Sequence, residues 1–268
     1  MSATRGTLAA LQARSEGALA EGTLRLNESL DAVWTHLCDG LVALAEKGGA
    51  DQIDLHENGM TQRLVIQLEK SSDSRPYFFL HEDLENDRTG NSPRVDLGVR
   101  AREGSCILLN GVRCSGGERF LVLEAKRLPM PGTNREREYL AGRQGGVERF
   151  KRGLHGGELT TVGIIGYVQR HAFDDWLNRI NEWIDELIAA STPELPWDEQ
   201  DRLDLEAAND RLAQLRSRNL RVSDNRRLTM RHIWVQLGPG AAQPAEPLFG
   251  IEGKAHRTTA VSSGILPV

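Results

Sequence analysis

Phe120-Leu-Val-Leu-Glu-Ala-Lys-Arg-Leu128 is the stretch on which the reading of the whole chain turns. Its apolar start, Leu121-Val-Leu123, predicts a buried strand, and that strand carries Glu124 and Lys126 at its end. Side chains alternate along a strand, so Glu124 and Lys126 project from one face and Ala125 from the other. Upstream, Pro93-Arg-Val-Asp-Leu-Gly-Val99 is a second strand-like run, with one acid, Asp96, among apolar neighbours. Two strand-borne acids beside a lysine suit a divalent metal held against a phosphodiester. The strands fix the carboxylate oxygens, the metal polarises the phosphate, and the lysine orients water. The plainer reading of the same residues is an ion pair at a strand end.

The flanking sequence supplies a helix–strands–helix–strand order. Gln52 to Lys70 reads as a helix through Leu55, Met60, Leu64, Ile66 and Leu68, with Glu57 near its start, where the macrodipole also favours an acid. Tyr77-Phe-Phe-Leu80 predicts a strand, followed by the acidic loop bearing Glu82, Asp83, Glu85 and Asp87. Of these acids, Glu82 is the candidate for a metal ligand. Cys106–Leu109 and Val112–Cys114 flank Asn110-Gly111, a strong hairpin signal. Such short connections favour an antiparallel meander. Arg135 to about Arg152 reads as a charged helix marked by Tyr139, Val147 and Phe150 and interrupted by Gly142, Gly145 and Gly146. Each helical glycine costs up to ~1 kcal/mol, which close approach of a nucleic-acid backbone or a neighbouring strand would justify. Val162 to Val168, apolar throughout, is expected at the centre of the sheet.

Asp96 followed by Glu124-Ala-Lys126 resembles the Asp…Glu-x-Lys core of the PD-(D/E)XK nuclease superfamily, the restriction-endonuclease-like fold. Gly145-Gly-Val-Glu-Arg-Phe-Lys-Arg-Gly153 and Val162-Gly-Ile-Ile-Gly-Tyr-Val168 are similar to segments of bacterial restriction- and defence-associated nucleases. The resemblance covers residues 52 to 170 and departs from the family at Val95, where proline is usual; Pro93 stands nearby. It implies an α/β fold, a mixed sheet of about four or five strands flanked by helices. It further implies a metal-dependent nuclease, of a kind found in anti-phage defence, using Mg²⁺ with Mn²⁺ as a substitute. Asp96, Glu124 and Glu57 would be the metal ligands and Lys126 the further catalytic residue. Adjacent carboxylates raise a lysine's pKa, so Lys126 is expected to stabilise charge rather than act as a base. Nucleic acid, DNA in preference to RNA, would be contacted by Arg127, Arg143, Gln144, Arg149, Lys151 and Arg152, with Tyr139 also beside the site. His155, in the loop Leu-His-Gly-Gly, is a candidate phosphate contact, with a turn residue the better reading. The alternative is a catalytically idle subunit of the same fold, docking nucleic acid or a partner protein. A homo-oligomer or a defence-system partner would suit either.

The net charge of −5 argues against a nonspecific basic coat. It leaves room for local basic stretches, one running from Lys126 to Arg152 and another from Arg211 to Arg231. The second is read as a solvated face. No apolar run approaches the ~18 residues of a membrane span. Met1-Ser-Ala-Thr-Arg-Gly lacks the apolar core of a signal peptide, and Cys38, Cys106 and Cys114 follow no metal-ligand spacing. The expectation is a cytoplasmic protein with reduced thiols. Residues 1–50 are assigned to an N-terminal helical extension, including a helix from Leu8 to Glu46. Residues 51–237 form the nuclease-like domain, and 238–268, rich in Gly, Ala and Pro, a disordered tail. Within the domain, Asp174-Asp175 opens a helix to Ala190, Glu199–Arg216 predicts an amphipathic helix, and Leu228–Leu237 predicts an edge strand.

Overall fold

The computed structural model describes residues 26–48, 56–70, 75–86, 88–89, 92–109, 112–129, 135, 137–142 and 144–238. The decisive stretch is β5 (Arg119–Leu128), third in a mixed sheet of seven strands. Before it come the helices α1 (Leu26–Gly48) and α2 (Glu57–Glu69), then β1 (Tyr77–Leu84) and β2 (Arg94–Ala101). β1, β2 and β5 pair antiparallel in that order, the expected meander. The hairpin β3 (Cys106–Leu109) and β4 (Val112–Ser115) stands apart as its own two-stranded sheet. Cys114 faces Ile107 across that hairpin rather than Cys106, and both thiols are free.

After β5 the pairing turns parallel. The short helix α3 (Gly146–Lys151) carries the chain over to β6 (Thr161–Val168), which pairs parallel with β5. α4 (Phe173–Ala189) and a 3₁₀ turn at Glu199–Asp201 follow. The chain then forms β7 (Asp204–Ala208), β8 (Leu212–Arg221) and β9 (Arg226–Gln236). The sheet order is β1-β2-β5-β6-β9-β8-β7, so β6 lies at the middle as expected. β5 and β6 are buried along nearly their whole length, which matches their unbroken apolar runs.

Helices cover both faces. On one, Trp34, Leu37 and Leu41 of α1 and Met60, Leu64 and Leu68 of α2 pack on Leu97, Leu121, Leu123, Ile165 and Tyr167. On the other, Trp176, Ile180, Trp183 and Ile184 of α4, with Val147 and Phe150 of α3, pack on Val122, Ile164, Met230 and Trp234. The two glycines of β6 let these layers close on the strand. A Cβ at Gly163 would lie 2.6 Å from the Trp34 ring, and one at Gly166 2.3 Å from the Trp234 ring. No helix among the described residues is long and apolar enough to cross a membrane.

Several expectations are corrected. The sheet has seven strands rather than four or five. The helix expected over Glu199–Arg216 is a 3₁₀ turn followed by two strands, joined where Asn209 Oδ1 accepts the N–H groups of Arg211 and Leu212. The predicted edge strand is β9, an interior strand between β6 and β8. The charged helix of 135–152 shrinks to α3, because Tyr139 and Leu140 turn inward to the core. Asp83, expected in a loop, belongs to β1 together with Glu82. The expected start of α1 at Leu8, the Asn110-Gly111 turn and the tail from residue 239 lie outside the described residues.

Candidate active site

The strand register brings the two acids together. Leu97 pairs with Leu123 in the antiparallel β2–β5 ladder, which sets Asp96 across from Glu124. The Ala125 N–H donates to Asp96 Oδ2 at 2.7 Å. Glu124 is fully buried, with three cationic or cation-forming side chains around its carboxylate. Lys126 Nζ is 3.5 Å from its Oε2, and Arg149 Nη1, from α3, is 3.3 Å from the same oxygen. His155 Nδ1 lies against Oε1. Those two atoms are in close contact, although the ring is not aligned for a directional hydrogen bond.

Glu57 opens α2 and reaches across the end of β5. Its Oε1 is 3.3 Å from Lys126 Nζ, and its Oε2 accepts the Arg127 N–H at 3.0 Å. Gly146 also lies beside the lysine stem, where a Cβ would sit at an ordinary 3.5 Å from Lys126 Cε.

Burial and charge set the protonation states. Burial pushes the Asp96 carboxyl up, the nearby Glu124 charge pushes further, and the pKa reaches about 8 despite Lys126 and the Ala125 N–H. Burial also raises Glu57, with Lys126 offsetting part of it. Glu124 sits lower than usual: burial opposes this, but His155, Lys126 and Arg149 together outweigh it. Burial pulls Lys126 down, yet Glu57, Glu124 and Asp96 outweigh it and hold the ammonium above its ordinary pKa. Lys126 is therefore a donor and a charge, as its neighbours led one to expect, rather than a base.

Among the described residues no three His, Cys, Asp or Glu side chains converge as a ready-made metal group. The donor set is nonetheless of the right kind for a hard divalent cation. Asp96 and Glu124 supply hard carboxylate oxygens on paired strands, and a cation between them would offset the burial and the Glu124 charge that together push the Asp96 carboxyl up. Glu57 is engaged by Lys126 and by backbone.

The remaining sequence candidates divide. Arg149 is at the site and also donates to Gln144 Oε1. Arg127 donates to Gln169 Oε1 beside it, at 3.0 Å and 2.7 Å, and Arg152 pairs on the surface with Glu148. Arg143 lies outside the described residues. Lys151 is corrected: its side chain is fully buried, with Nζ 2.6 Å from Asp201 Oδ1 and 4.4 Å from the Trp197 ring centre, where no phosphate reaches it. Tyr139 is corrected too. It is buried on the far side of β6, its hydroxyl bonded to His232 Nδ1 at 2.7 Å and to Trp234 Nε1 at 2.9 Å. Glu82 is engaged by Arg94 and Asn58. His155, read from the sequence as a turn residue in preference to a phosphate contact, is set against Glu124 Oε1 instead; its one sequence signal is that glycines crowd it in Gly153-Leu-His-Gly-Gly157. No protein-family model, no curated protein and no solved structure matches the chain.

Proposed function

We propose that this chain is a metal-dependent nuclease of the restriction-endonuclease-like kind, hydrolysing phosphodiester bonds in nucleic acid. The observation that supports it is the convergence of Asp96, Glu124 and Lys126 on one face of neighbouring strands, with Glu57 closing over the lysine. The order α2-β1-β2-β5-α3-β6, antiparallel and then parallel, resembles that superfamily's core; β7, β8 and β9 extend it.

In this reading Asp96 and Glu124 would hold Mg²⁺, or Mn²⁺ in its place. The cation would polarise the scissile phosphate and lower the pKa of water. Lys126, kept cationic by its carboxylates, donates to the phosphate oxygens as negative charge builds on them. Glu57 fixes the ammonium in place. Arg149, partly exposed at the rim, offers a guanidinium to the substrate backbone, a contact that gives affinity without sequence preference. DNA is the favoured substrate, with bacterial defence as the setting that the resemblance suggests.

A second reading has support of its own. Lys126 and Arg149 already pair with Glu124, and no ready-made metal group stands among the described residues, as in an idle subunit that only docks. Calorimetry with Mn²⁺ separates the two. A nuclease binds the ion and loses it in Glu124→Ala; an idle subunit shows no heat in either protein and cuts no DNA or RNA.

A further inference from the structure

The loop that carries His155 is gripped from two sides. Residues 153–159 join α3 to β6, and Gly153 and Gly156 turn it with φ of +68° and +58°, where glycine is at ease. A Cβ at Gly156 would lie 2.9 Å from Val122 Cγ2, so the loop rests directly on β5. From the β1 side, Glu85 Oε1 accepts the Gly156 N–H at 2.9 Å, and Arg119 holds Glu85 Oε2 at 2.6 Å. From β8, the buried Arg221 donates to the carbonyls of Gly156, Gly157 and Leu159 at 3.0, 2.6 and 2.5 Å. Charge-assisted bonds of this kind are about twice as strong as neutral ones. An ordinary surface turn has no need of a carboxylate and a guanidinium from separate parts of the sheet.

What the grip places is one imidazole. His155 is 3% exposed, its ring lies edge-on to Phe150 with centroids 6.2 Å apart, and its Nδ1 abuts Glu124 Oε1. Lys126 and Arg149 both face Oε2, so His155 is the polar side chain set against the other oxygen. We propose that His155 is a positioning residue of this site: its Nδ1 edge, packed against Glu124 Oε1, limits the rotation of the carboxylate that a divalent cation would meet. The proposal rests on the nuclease reading for the cation, but the steering of Glu124 stands on the metal-free contact. It also gives β8 a task at the site, since Arg221 holds the loop.

The test exploits amide geometry, because the Asn side-chain nitrogen overlies imidazole Nδ1 while that of Gln overlies Nε2. Two readouts are taken on His155→Ala, His155→Asn and His155→Gln: Mn²⁺ affinity by calorimetry, and the Glu124 carboxyl ¹³C shift without metal, with urea midpoints as the fold control. Loss of a group that orients a metal ligand lowers affinity roughly 10–100-fold. The Ala and Gln variants should show that loss and a displaced carboxyl signal, and Asn should restore both. If His155→Ala fails to fold, the comparison of Asn with Gln carries the result. Asn and Gln variants with the same carboxyl shift, or an Ala variant matching wild type in both readouts, would overturn the proposal. Wild type binding no Mn²⁺ overturns the nuclease reading instead, and the ¹³C shift alone then decides on His155.

Discussion

Asp96→Asn should make the metal-free protein much more stable at pH 8 while changing little at pH 4. Asparagine keeps an oxygen for the Ala125 N–H, bonded at 2.7 Å to Asp96 Oδ2, and removes only the titration. Below about pH 3 the Asp96 proton is on in both folded and unfolded chains. As pH rises, the unfolded chain releases it from 3.8, while the folded chain keeps it to about 8. The folded state then binds more protons, so stability falls with pH across that window. At ~1.4 kcal/mol per unit the loss is capped near ~6 kcal/mol. Urea unfolding of both proteins in EDTA, from pH 4 to 8, measures the difference directly. Adding Mn²⁺ should reverse the trend in wild type, because a ligand carboxylate must be ionised to bind, and leave the variant flat. A difference independent of pH, or a wild type that gains on the variant as pH rises without metal, would refute the assignment of Asp96 to a buried, like-charged pair.

Asp201→Ala strands the buried Lys151 ammonium and removes the acceptor of Asn219 Nδ2 at 2.6 Å. It should cost about 3–5 kcal/mol, read as a fall in Tm of roughly 6–20 °C for a domain of this size; Lys151→Met with Asp201→Leu should recover much of it. Arg149→Ala should weaken nucleic-acid binding and flatten its salt dependence by about one counterion, seen in titrations at several ionic strengths. Unchanged salt dependence would remove Arg149 from the interface.

The site's centre was legible because it lies on strands with plain patterning. β5 shows an unbroken apolar run ending in Glu124 and Lys126, and the cross-strand register of Asp96 follows from the meander. β8 was not legible for the opposite reason. Its buried face runs Ala213, Leu215, Ser217, Asn219, Arg221, and polar residues there hide the period of two. They are buried because distant partners satisfy them. Asn219 bonds Asp201 and Ser217, Ser217 meets His232 Nε2 at 3.0 Å, and Arg221 holds the 153–159 loop. The same network draws Tyr139 and Lys151 inward, which their neighbours in sequence give no hint of. β7 is exposed along its length and so has no apolar alternation to read. His155 needed the fold, since its role depends on Glu85 and Arg221, far away in the chain.

Divalent-cation-dependent cleavage by wild type and by Glu124→Gln is the most direct test of the site. Single- and double-stranded DNA and RNA would each be incubated with Mg²⁺ and with Mn²⁺, with binding measured in parallel. Wild type should cut at least one of them only when the cation is present. Glu124→Gln, which keeps the side chain's shape, should lose cleavage by about a thousandfold or more, several kcal/mol at the transition state, while still binding the substrate. Equal cleavage by the two proteins, or a wild type that cuts none of the substrates with either cation, would contradict it.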